Sequence, residues 1–470
     1  MRKRNLQFIA DATNGKISGG DPATEVLRIC TDSRAVQSGD LFVALKGERF
    51  DAHDYLADVA AKGAAAMVVE YGRAIEGVPT IEVGDTREAL GQVAAAHRAD
   101  FDIPVIAVGG SNGKTSTKDL IAAVLREMGD VIWSEASFNN DIGVPLTLTR
   151  LDEQHQALVQ EVGTNHPGEM SALLQIVQPH FGVITSIGRE HLEHFGDLEG
   201  VLKEEGTLAE ILPQDGVLFI DGDGAFAGRL AALTQARVVR VGFEAGNDYR
   251  ISNVRMTYAG MKFSVIGPGG TEEEFQTPLL GRHQACNAAL ALAVGTELGL
   301  TSGQSRRALA NCTPPRGRLQ LWEENGVHII DDSYNANADS MTAAIGTFVE
   351  LPVTGRRIAV LGNMAELGEH TDSAHREIGA LAAEKGIDML FTVGGLGYCY
   401  AGAARAAGMK VVSEFDEVAE AAVSLQRVLR PGDAVLIKAS RSAGLERVAE
   451  LLRGKIDHGQ SETAKTPIAA

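Results

Sequence analysis

The residues Gly110-Ser-Asn-Gly-Lys-Thr115 have the types and spacing for polyphosphate chemistry. Gly110 and Gly113 let successive backbone N–H groups turn toward an anion, Lys114 adds a point charge for the β- and γ-phosphates, and the Thr115 hydroxyl is a ligand for Mg2+. Ser111, Asn112 and Ser116 complete the loop and the first helical turn behind it. The loop is two residues shorter than the common eight-residue form, with Val108 where the distant first glycine would fall. An ATP or GTP site is the expectation. Two further groups suit the same ion: Glu161, closing an apolar run, and His191, just beyond another, would bind Mg2+ beside Thr115 directly or through water. Glu190, Glu193 and His194 have no such spacing and are expected at the surface.

These groups need elements to aim them. The run Val105-Ile-Ala-Val108 before the loop and the apolar-periodic stretch after it predict strand, loop and helix. Strands follow at 156–161, 181–187 and 216–221, alternating with helices from Met170 and from Leu198. That alternation predicts an α/β protein whose central sheet is doubly wound and mainly parallel, with ligands at its C-terminal strand ends. Gly267-Pro-Gly-Gly270 predicts a hairpin tip, and 287–298 an Ala-rich helix. Before this region, 1–99 carries its own strands (40–45, 66–69) and a helix at 86–98. After Thr313-Pro-Pro-Arg-Gly-Arg318, strands at 357–362, 388–393 and 433–438 each precede a helical pattern, so 314–456 is expected to be a Rossmann-like C-terminal domain. The polar tail 457–470 is expected to be disordered.

Bulk composition narrows the partners. A chain of 470 residues, 44% hydrophobic and 22% charged, has room for about three domains. Its formal charge of −19 disfavours nucleic acid, because such proteins show a basic footprint. Cys30, Cys286, Cys312 and Cys399 are too scattered for a metal spacing and are expected as reduced thiols. No run approaches the ~20 apolar residues of a membrane span, and no export segment is evident, so a cytoplasmic monomer without membrane insertion is expected.

The order of motifs resembles the Mur ligase family of ATP-dependent amide-bond ligases over residues 24–453. The resemblance is carried by Thr31-Asp-Ser-Arg34, Gly39 to Glu48, the phosphate loop, Asn139-Asn-Asp-Ile-Gly-Val-Pro145, Glu161 to Glu169, Gly281 to Asn287, Asp331-Asp-Ser-Tyr-Asn-Ala-Asn337 and Leu361 to Gly368. It implies three domains: a UDP-sugar-binding unit (1–99), a central ATPase (100–313) and the C-terminal domain. It also implies addition of D-alanyl-D-alanine to a UDP-N-acetylmuramoyl-tripeptide through an acyl phosphate, with ATP and Mg2+. By position, Ser33, Arg34 and Lys46 fall in the uridine-diphosphate clamp, Asn139 and Asn140 in the cleft for ATP and muramyl peptide, and Asn287 against adenine. Arg318, Asp332 and Asn335 match the region that holds ribose and phosphates. Competing expectations are another ligase of the same fold, acting on an earlier muramyl peptide, folate polyglutamate or cyanophycin, and a nucleotide-binding homologue that does not ligate.

Four positions depart from the family pattern. Where it carries a carbamylated lysine, fourteen residues after the metal histidine, this chain has Glu205. Glu205 is expected to act as a surrogate carboxylate independent of CO2, although it falls roughly 4 Å short at ~1.5 Å per bond. Lys203 cannot replace it, since two residues turn a helix by ~200°. Thr207 replaces an acid, Asn363 an Asp and Ala338 a Pro.

Overall fold

The computed structural model describes residues 2–453, so the expectation for the tail 457–470 lies outside the described residues. Three large sheets succeed one another along the chain. The first has five strands in the order Lys16–Ser18, Thr80–Val83, Ala66–Glu70, Asp40–Val43 and Arg28–Cys30, parallel except for the first pair. The helix Thr86–Arg98, whose first turn is capped by the Asp85 carboxylate on the N–H groups of Arg87 and Glu88, covers it and leads into the second sheet.

The second sheet has nine strands. From Val131–Trp133 through Ala157–Glu161, Val105–Gly109, Phe181–Ile184, Val217–Asp221, Arg237–Gly242 and Tyr249–Thr257 the ladders are parallel, and Gly260–Ile266 and Glu272–Thr277 add an antiparallel edge. The turn between those last two strands holds the expected Gly267 to Gly270 tip. Strand order reverses beside Val105–Gly109, the point where an open α/β sheet leaves a crevice above its C-terminal strand ends. Both faces are covered. Leu120, Ile121 and Val124 pack one face with Ala288 to Val294; Met170, Leu173, Leu202 and Leu208 pack the other. The near-continuous apolar strands reflect burial on both sides.

Helix Arg282–Glu297 starts five residues earlier than 287–298 predicts, because the family-like Arg-His-Gln-Ala-Cys stretch is already helical. Its small residues allow close approach: a Cβ on Gly295 would lie 2.5 Å from Val124 Cγ1. This drives the helix against Lys114–Leu125 and carries Asn287 to the phosphate loop.

The third sheet has six strands in the order Gln320–Glu324, Val327–Asp332, Ala434–Lys438, Arg357–Gly362, Met389–Val393 and Val412–Phe415. Only the first pair is antiparallel. Two apolar layers, around Met341 and Ile378 and around Leu425 and Val448, cover its faces. Ala338 opens helix Ala338–Glu350, where a proline would also fit; the Asn337 capping box fixes that start without one.

Candidate active site

A cavity of about 640 Å3 opens between the second and third sheets. The phosphate loop forms its floor. Gly110 has φ +107° and Gly113 φ +91°. A Cβ on Gly110 would sit 2.5 Å from Thr185 Oγ1, and one on Gly113 3.0 Å from Asn287 Oδ1, so both positions need glycine for space as well as conformation. The loop is braced from the neighbouring strand end: Ser111 N–H donates to Ser186 O at 2.8 Å and Asn112 N–H to Ser186 Oγ at 3.0 Å. The Gly110 N–H is engaged by Glu205, so Gly110 serves the turn and does not line the cavity. The first turn of helix Lys114–Leu125 instead offers N–H groups with no intrahelical acceptor; Gly113, Lys114, Thr115 and Ser116 all line the cavity.

Lys114 Nζ donates to Gly110 O at 2.5 Å and to Glu190 Oε2 at 3.1 Å. Burial alone would lower its pKa, but Glu190, Glu205 and Glu161 together hold it above the usual lysine value. Glu190 is thus a correction: expected at the surface, it is 6% exposed. Its position beside the proposed metal histidine hid it, since a polar run after a strand looks solvated.

Glu205 is also a correction. It does not line the cavity; its Oε2 accepts the Gly110 N–H at 2.5 Å from beneath the loop. Burial pushes its carboxyl up to about 8 against the opposing pull of Lys114. The side chain, too short to reach the cavity, buttresses the loop.

Glu161, 1% exposed, accepts a hydrogen bond from Asn139 Nδ2 on Oε1 at 2.8 Å, while its Oε2 is buried without a protein partner. Thr115 Oγ1 accepts from Arg318 at 3.0 Å. His191 sits at φ +45° at the start of the short helix Leu192–Phe195, with Nδ1 2.5 Å from Glu366 Oε2. That approach is oblique, outside hydrogen-bond alignment. All three expected Mg2+ ligands line one cavity. Among the described residues no group of three His, Cys, Asp or Glu is placed to hold a metal by itself. The orphaned Glu161 oxygen, a hydroxyl and an imidazole nevertheless fit Mg2+, which keeps several waters and phosphate oxygens.

The C-terminal domain supplies the opposite wall. Arg318 stacks on Tyr334 at 4.4 Å, Asp332 accepts from Lys438 Nζ at 2.6 Å, and the same ammonium donates to Asn335 O at 3.1 Å. Asn287 hydrogen-bonds Gln284 at 3.0 Å. Tyr334 meets Ser137 and Asn337 meets Asn112, so the two walls touch. Arg189 spans them more strongly, with its N–H and Nε on Asp339 at 2.7 and 2.8 Å and its remaining nitrogens on Glu377 at 2.7 and 3.1 Å. Lys438, Tyr334, Arg189 and Glu366 were not singled out from sequence as site residues; Lys438 ends a predicted strand, a signal that could have found it.

Four expected substrate residues lie elsewhere. Asn140 caps helix Gly143–Leu148, accepting the Gly143 N–H at 2.8 Å, so only Asn139 of the pair lines the cavity. Arg34 pairs with Asp32 at 2.7 Å, Ser33 O accepts from Lys62, and the backbone of Lys46 pairs with that of Asp51 in an isolated antiparallel bridge. These last three gather on the first sheet's loops and do not line the cavity.

Comparison with known proteins gives the family. Residues 25–98 match the Mur ligase family catalytic domain, 108–295 the Mur ligase middle domain, and 317–441 the Mur ligase glutamate ligase domain. The chain belongs to the Mur ligase family. It is 35% identical over 455 residues to the UDP-N-acetylmuramoyl-tripeptide–D-alanyl-D-alanine ligase of Escherichia coli, covering 95% of this chain and 98% of that one. It is 34% identical to the Bacillus subtilis enzyme of the same name, covering 96% and 98%. Among solved structures it is similar to MurF from Acinetobacter baumannii (TM-score 0.88, 32% identity, 96% and 99% covered). MurF from Thermotoga maritima in complex with ADP is also similar (TM-score 0.81, 26% identity, 91% and 97% covered).

Proposed function

We infer that the chain is an ATP-dependent ligase that joins D-alanyl-D-alanine to a UDP-N-acetylmuramoyl-tripeptide in peptidoglycan precursor synthesis. The observation that carries this is the convergence on one cavity of the phosphate loop, the unpartnered Glu161 oxygen and the C-terminal wall, in a chain that matches ligases of that name over nearly its whole length. The peptide carboxylate attacks the γ-phosphorus of ATP, releasing ADP and forming an acyl phosphate. The dipeptide amine then attacks the acyl carbon, phosphate leaves, and the amine proton passes to solvent.

No protein nucleophile is required, so catalysis is positioning and charge neutralisation. Lys114 meets the negative charge of the transferring phosphoryl group, moving from Glu190 to phosphate oxygen. The first-turn N–H groups cradle the phosphates, and Asn287 and Arg318 flank the nucleotide. Mg2+ would be held by Thr115, Glu161 and His191 and would supply further charge neutralisation. Asp332 keeps Lys438 aimed, and Asn139 orients Glu161. Ser33, Arg34 and Lys46 anchor the UDP moiety. The limits 1–99, 100–313 and 314–456 belong to the same proposal, as do a cytoplasmic setting and a monomer. No described helix is long and apolar enough to cross a membrane.

Phosphate release that requires both the muramyl tripeptide and D-alanyl-D-alanine, with the pentapeptide product identified by mass spectrometry, tests the reading. Phosphate release with glutamate in place of the dipeptide, or ATP binding without turnover, overturns it.

A further inference from the structure

The segment Met364-Ala-Glu-Leu-Gly368 has a pattern that the phosphate chemistry leaves unused. Met364 and Leu367 are each 2% exposed within the C-terminal core, and the Met364 N–H donates to the buried His375 Nε2 at 3.0 Å. Both anchors are fixed, so the two residues between them, Ala365 and Glu366, are presented outward. Glu366 stands at φ +59°, a conformation rare outside glycine and asparagine. Its carbonyl accepts the Glu193 N–H at 3.2 Å. Gly368, φ +53°, comes so near that a Cβ there would lie 3.2 Å from Glu193 Cα. The whole turn is therefore seated on the central domain's 191–195 turn, and its carboxylate lies against His191 Nδ1.

His191 is itself held at positive φ, so two backbone outliers from different domains meet at one contact. Such outliers persist where the surroundings over-determine them, which points to function. An imidazole that ligates a metal through one nitrogen commonly gives its other N–H to a carboxylate, which fixes ring and tautomer. An imidazole that gives Nδ1–H to a carboxylate keeps Nε2 as its lone-pair atom. We propose that Glu366 is a positioning residue for His191, so that docking of the C-terminal domain completes the divalent-cation site. This rests on the reading of His191 as a cation ligand and adds a carboxylate from another domain behind it.

The test uses the full chain with Mn2+ as the probe, titrated by electron paramagnetic resonance in the presence of ADP. Glu366→Ala is expected to weaken Mn2+ binding by about 10- to 100-fold, while ADP binding in EDTA and the circular dichroism spectrum stay unchanged. Glu366→Gln, whose amide oxygen still accepts from Nδ1–H, is expected to recover most of the affinity. Unchanged Mn2+ affinity in Glu366→Ala overturns the proposal, as does equal weakening by Gln and Ala. His191→Ala separates the two readings. If it weakens Mn2+ binding and Glu366→Ala does not, only the positioning role fails; if it has no effect, His191 is not a ligand and both fail.

Discussion

The cavity between the second and third sheets and the loops of the first sheet treat their charges in opposite ways. In the cavity, Lys114, Lys438 and Arg189 are each matched to carboxylates of the protein itself, so the charges that would meet phosphate are already aimed. On the first sheet, the side chain of Arg34 is 69% exposed and paired with its near neighbour Asp32. Such a solvated pair adds little to stability. Under the proposed function the cavity would stabilise developing charge and the loops of the first sheet would recognise the UDP moiety, so mutations in the two should divide accordingly.

Lys114→Ala gives the largest expected effect. Turnover should fall by at least about 10²- to 10³-fold, as for loss of a donor aimed at transition-state charge, while calorimetric affinity for the UDP-muramyl peptide stays within about threefold. Loss of both together would break the division. Gly110→Ala comes next: a methyl group 2.5 Å from Thr185 Oγ1 at positive φ should cost about 1–3 kcal/mol in urea unfolding and abolish ATP binding. Arg34→Ala should raise KM for the UDP substrate roughly tenfold, the ~1.4 kcal/mol expected of one exposed charge-assisted contact, without altering KM for ATP. A shift in both constants would show that the regions are coupled.

The junction between the two regions carries a pH signature. His97 accepts from Arg4 Nε on Nδ1 and lies 3.0 Å from Leu151 O through Nε2, and burial drives its pKa down to about 4. The folded state therefore binds fewer protons than the unfolded state between about 4 and the unperturbed ~6.5. Stability from this site is fully present above pH ~6.5 and is lost as pH falls toward 4, by on the order of 2–3 kcal/mol. Thermal melts of wild type and His97→Gln from pH 7.5 to 4.5 should converge as acid is added. Smallest of all, Asn140→Ala should cost about 1 kcal/mol as a lost helix cap with ATP kinetics untouched.

The same contrast explains what was legible in the sequence. Strand ends in a doubly wound sheet lie on one side by construction, so Glu161 and His191 could be brought to the phosphate loop from their places after apolar runs, whereas Asp332, on another sheet, was reached through the family resemblance alone. Loops carry no such rule. Of the adjacent Asn139 and Asn140, one reaches Glu161 and the other caps a helix, and nothing in the two letters tells them apart. Glu190 was hidden for a related reason: its partner Lys114 lies 76 residues away, and only the assembled sheet reveals that pairing. Glu205 was placed correctly on its helix but assigned to the wrong neighbour. Its reach, set by side-chain length, ends at the Gly110 amide.

Arg189 has one more consequence. The grip it keeps on Asp339 and Glu377 is made of half-exposed charges, and such attraction fades with ionic strength while apolar packing does not. Added salt should therefore loosen the two walls from each other without melting either, making the release of spent nucleotide faster in brine than in dilute buffer.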